Sequence, residues 1–80
     1  MDPKTIVRLT LAFGRAFLAT QGETEAVEYI DQVRDAYNAG ANVDRHLQAI
    51  AEFLDGGGVP DFPTLRSELQ AEVDEFLART

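Results

Sequence analysis

Cysteine and tryptophan are absent from this chain of 80 residues, and histidine occurs once. Without a thiol there is neither a disulfide framework nor a thiolate metal site, and a single imidazole does not make a metal centre. Freedom from cysteine suits a reducing compartment, so the expected location is cytoplasmic. Basic residues are scarce: seven Lys and Arg stand against 14 Asp and Glu, for a net charge of −7. Such a balance repels nucleic-acid phosphates and anionic lipid, which disfavours direct nucleic-acid or membrane-surface binding. A long hydrophobic run is also missing. The most apolar stretch, residues 6–19, is broken by Arg8, Gly14 and Arg15. It falls short of the ~20 consecutive apolar residues of a membrane span and lacks the unbroken apolar core of a signal peptide.

What is present is a foldable composition. Hydrophobic residues make up 45% of the chain, well above the content of a disordered acidic segment. At this length folding buries only about 60% of the surface that the unfolded chain exposes, so the core is thin. The charge is unevenly distributed: residues 1–22 carry three basic residues and one acidic, residues 23–80 four basic and thirteen acidic.

Apolar residues recur at helical spacing throughout, and no segment alternates as a strand does. Asp2-Pro3 is a helix start, with a carboxylate for orphan backbone N–H groups and a proline suited to the first turn. The first helix is expected over about 3–20, with a packing stripe of Ile6, Leu9, Phe13, Ala16 and Phe17. Val7, Leu11 and Leu18 widen that stripe beyond what one packing face needs. Thr20 to Glu23 reads either as a glycine stop or as a capping box. A second helix follows over 23–38, with Ala26, Ile30, Val33 and Tyr37 inward. The third, over 43–55, is capped by Asn42 and has Val43, Leu47, Ile50 and Leu54 on its seam. Gly56-Gly57-Gly58-Val59-Pro60 interrupts helix formation. The fourth helix, over 62–79, carries Phe62, Leu65, Leu69, Val73, Phe76 and Leu77. The fold class expected is all-α: one domain, a small bundle of four short antiparallel helices, the last joined by the glycine-rich turn. Leu47 and Leu69 are expected in the core, with the five phenylalanines packed on apolar faces.

Acidic spacing is the one feature that invites a catalytic reading. Glu25, Glu28 and Asp31 form E-x-x-E-x-x-D, and Glu72 and Glu75 form E-x-x-E. Facing helical carboxylates can hold Mg²⁺. In these few positions the chain resembles the all-helical MazG-like nucleotide pyrophosphatases, whose paired E-x-x-E/D helices bind magnesium, and that resemblance implies Mg-dependent nucleotide hydrolysis. Fourteen acidic residues in a chain of this length, nearly all of them after residue 22, also produce such spacings as a solvated face, with no basic residue evident beside them to take a phosphate. That second reading assigns no catalytic residue, no metal and no cofactor. His46 has no visible partner or nucleophile and reads as a surface or edge residue. The glycine run lacks the Lys-Ser/Thr ending of a phosphate-binding loop.

Two functional readings precede the enzyme. In the first the protein is a binding module, such as a small regulator, adaptor or inhibitor. It would dock through Glu25, Glu28, Asp31, Asp35, Glu68, Glu72 and Glu75 onto a basic partner protein, with Tyr29 and Tyr37 as anchors. An inhibitor of a nucleic-acid-handling machine, of the kind found among small phage proteins, is its concrete form. In the second, Val7, Leu11 and Leu18 on the wide apolar face of the first helix pair with a second copy in a structural homo-oligomer.

Overall fold

The structure, a computed structural model, describes residues 2–79, and among these it contains four helices and no strand: α1 (Pro3–Thr20), α2 (Thr24–Ala39), α3 (Asp44–Leu54) and α4 (Phe62–Arg79). The ends follow local chemistry. Asp2 accepts a hydrogen bond from the Lys4 N–H at 3.2 Å, with Pro3 opening α1. At the other end Gly22 takes φ +74° and the Glu23 N–H returns to the Leu18 carbonyl at 3.0 Å, which is the glycine stop. The capping box does not form: the Thr20 hydroxyl donates back to the Ala16 carbonyl, and no side chain caps α2. Gly40, at φ +99°, ends α2 with the Ala41 N–H on the Ala36 carbonyl. Asn42 accepts from the Asp44 N–H at 3.1 Å, one position before the Val43 N-cap. Asp61 holds both the N–H and the hydroxyl of Thr64 at the start of α4.

α2 sits at the centre, with α1 and α4 packed on it and α3 packed on α1. It contributes five core residues, Ala26, Tyr29, Ile30, Val33 and Ala36. These meet Leu11 and Leu18 of α1, Val43 and Ile50 at α3, and Phe62 and Leu69 of α4. A run of aromatic contacts crosses the bundle: Phe17 to Phe53 at 5.7 Å between centroids, Phe53 to Phe62 at 6.2 Å, and Phe62 to Tyr29 at 5.9 Å.

The orientation of α1 corrects the sequence reading. Leu11 and Leu18, read as surplus apolar surface, are buried, and Val7 is partly buried against the core. The expected packing stripe faces outward, with Ile6, Leu9, Phe13 and Phe17 all exposed. Gly14 is the cause. A Cβ there would lie 3.1 Å from Ile30 Cδ1 and 3.2 Å from Ile50 Cγ2. Close approach of three helices therefore requires the glycine side to face in, and Leu11 and Leu18, three before and four after it, are turned in with it. Leu69 is in the core as expected, whereas Leu47 is only half-buried and Leu54 is exposed. Among the described residues no helix is long and apolar enough to cross a membrane.

Candidate functional site

The largest departure from expectation is inside the bundle. His46 is fully buried, and so is Tyr29. Both lie on buried seams at helical spacing, Val43–His46–Ile50 and Ala26–Tyr29–Val33. The Tyr29 hydroxyl is 2.6 Å from His46 Nδ1, and His46 Nε2 is 2.7 Å from Glu72 Oε2. Arg45 donates to the other Glu72 oxygen, and to Glu68 at 2.5 Å. One continuous polar chain thus ties α2, α3 and α4 together.

Its hydrogens can be assigned from the partners. A carboxylate only accepts, so Nε2 carries the hydrogen that faces Glu72. Burial, with Glu72 and Glu68 adding to it against the opposing Arg45 charge, raises the Tyr29 pKa. The hydroxyl therefore keeps its proton, and with the imidazole hydrogen on Nε2 it is the donor that a bare Nδ1 accepts from. Partial burial works to raise the Glu72 carboxyl, but the hydrogen bonds from Arg45 and His46 outweigh it and hold the group below the ordinary carboxylate range. A hydroxyl–imidazole–carboxylate chain has the parts of a nucleophile, base and orienting acid. With both Tyr29 and His46 at 0% exposure, no surface brings a substrate to it, and its role is to join helices.

The acidic residues singled out in the sequence are exposed or half-exposed, and each meets an arginine of its own chain. Arg66 reaches Glu25 at 3.3 Å and Glu28 at 3.4 Å, which places a basic residue where the sequence showed none nearby. Arg15 pairs with Asp31 at 3.0 Å, Arg34 lies 3.6 Å from both Asp31 and Asp35, and Arg79 pairs with Glu75. Glu72 belongs to the buried tie through His46, and Glu68 joins it only through the exposed Arg45. The proposed anchors separate: Tyr29 is inside, and Tyr37 is half-buried beside Lys4 and Arg8. Among the described residues no group of three or more acidic or histidine side chains is placed to hold a metal ion.

The outward side of α1 is different in kind. Ile6, Leu9, Phe13 and Phe17 are 50%, 41%, 66% and 47% exposed, and Leu54 of α3 adds 37%. Ile6, Leu9, Thr10 and Phe13 join Ala51, Leu54 and Asp55 of the α3 end to form a shallow groove of about 360 Å³. Ala12, Ala16 and Ala19 extend the exposed surface along α1. The charged residues within α1, Lys4, Arg8 and Arg15, all lie on the opposite edge, toward α2. Sequence reasoning found the excess of apolar residues on this helix but assigned the wrong ones to the surface. No protein-family model, characterised protein or solved structure matches the chain.

Proposed function

We propose that the protein is a non-enzymatic binding module that docks onto another protein surface through the outward face of α1. The observation that carries this reading is the continuous exposure of Ile6, Leu9, Phe13, Phe17 and Leu54 on a face whose one charged lining residue is Asp55, at the α3 rim of the groove. Contiguous apolar surface of this kind marks interaction sites in soluble proteins, whereas isolated exposed hydrophobes do not. Two aromatic rings on it, Phe13 and Phe17, are of the type that anchors interfaces. The acidic faces support docking less well, because arginines of the same chain already engage their carboxylates. A basic partner would have to displace those pairs before making its own.

The test compares three baits in a pull-down from the native host: the unaltered protein, Phe13→Asp, and Asp35→Lys with Glu75→Lys. Asp35 and Glu75 are 73% and 63% exposed and lie outside the buried tie, so reversing them leaves the fold in place. Glu72 cannot serve here, because its loss breaks the contact with His46. Capture lost with Phe13→Asp and kept with the charge reversal supports docking through α1. The opposite pattern would transfer the site to the acidic faces.

A further inference from the structure

Resting on that reading, we infer that the partner on the α1 face is a second copy of this chain, with the two α1 helices side by side and parallel. Among the described residues Lys4 and Arg8 are the two basic side chains with no ion-pair partner; Arg15, Arg34, Arg45, Arg66 and Arg79 are all engaged. Both sit along the α2 edge of the α1 face. The opposite edge, formed by α3, carries Asp55 on the groove rim and Glu52 one turn earlier, both exposed and neither paired with a cation. The apolar face is thus bordered by unpaired positive charge on one side and unpaired negative charge on the other.

A two-fold axis running along α1 exchanges the two edges. It sets the Arg8 edge of each copy against the Asp55 edge of the other, and the helices run parallel. A two-fold axis across α1 preserves the edges and sets like charge against like. The levels agree, since Asp55 lines the same stretch as Ile6, Leu9 and Phe13, within which Arg8 falls. An isologous contact needs this kind of self-complementary patch. Ala12 and Ala16 let two helices approach closely. An 18-residue helix is about 27 Å long and 11 Å wide. With the end of α3 added, covering the face removes roughly 900 Å² over two copies, at the small end of specific interfaces. The dimer is accordingly weak and reversible.

Sedimentation equilibrium from about 10 to 500 µM, with circular dichroism confirming the fold of each variant, tests the arrangement. The unaltered chain is expected to dimerise and Phe13→Asp to remain monomeric. Arg8→Glu and Asp55→Arg should each weaken association at least about fivefold, since each removes two exposed ion pairs and sets like charges against one another. Combining them should restore it to within about twofold, which a general loss of stability would not do. A monomer at every concentration overturns the second copy while leaving α1 docking to the pull-down. Dimerisation that survives Phe13→Asp overturns this face for self-association. Failure of the double variant to recover overturns the parallel arrangement.

Discussion

Removing the hydroxyl of Tyr29 tests the buried tie most directly. In Tyr29→Phe the ring keeps its packing against Phe62 and the His46 ring, and only one oxygen is lost. His46 Nδ1 is then a buried acceptor with no donor, since the imidazole is at 0% exposure and water does not reach it. Leaving such a group unpaired costs about 1–3 kcal/mol. For 80 residues the unfolding entropy is about 170 cal/mol/K, so each kcal/mol lowers Tm by about 6 °C. The variant should therefore melt about 6–18 °C below the unaltered protein. Tyr37→Phe, at a half-buried position whose hydroxyl has no hydrogen-bond partner among the described residues, is the matched control and should change Tm by no more than about 3 °C. Calorimetry on both proteins measures the difference. Equal melting temperatures would refute the claim that His46 is buried and held by Tyr29.

Truncating the core should rank by burial: Leu69→Ala loses about 2–5 kcal/mol in denaturant unfolding, and Leu47→Ala, at its half-buried site, clearly less. Gly14→Val adds a branched side chain where even a Cβ meets Ile30 and Ile50, so overpacking of about 1–3 kcal/mol or more should appear as a lower denaturation midpoint. The pKa of Glu72 is lowered in the folded state. Its contribution is therefore fully present above the unfolded carboxyl value of about 4.3 and is lost as pH falls through the lower folded value. The Tm gap between the unaltered protein and Glu72→Gln should narrow between pH 6 and pH 3, and a constant gap would show that Glu72 is not held as a carboxylate.

The four helices were legible in the sequence because caps, glycines and apolar spacing are local signals. Asp2-Pro3, Gly22, Gly40 and Asp61 act within a turn of where they stand in the chain. Which side of a helix faces inward is not local. On α1 two apolar stripes compete, and the larger side chains, Ile6, Leu9 and Phe13, lie on the one that ends outside. The decision falls to Gly14, whose value lies in what its missing Cβ allows α2 and α3 to do. The polar tie was obscured for a similar reason. His46 and Tyr29 sit at seam positions that their spacing marks, but the partners that make burial tolerable are 26 and 17 residues from His46 in the chain. A buried imidazole with no sequence-adjacent partner reads as exposed until the fold supplies one.

The outward face of α1 also has a consequence for the isolated chain. α2 and α4, Leu77 apart, cover their outer sides with charged residues that pair with one another, which keeps those surfaces in water at little cost. α1 does not, and its exposed Ile6 and Phe13 gain little from folding because half or more of each remains accessible. If that face serves only binding, replacing both residues with charged ones should leave the monomer almost as stable as before. Ile6→Lys combined with Phe13→Glu places opposite charges seven residues apart on the same side of the helix, two turns along it, and removes no fully buried contact. At each site an exposed substitution changes stability by about 0.5 kcal/mol or less, so Tm of a dilute sample should move by no more than about 6 °C. Had the sequence-expected stripe been the packed one, the same substitutions would bury two charges, each costing several kcal/mol, enough to unfold a domain of this size. Thermal unfolding at a few micromolar separates the two. Loss of the cooperative transition would show that Ile6 and Phe13 are core residues and that α1 is turned the other way.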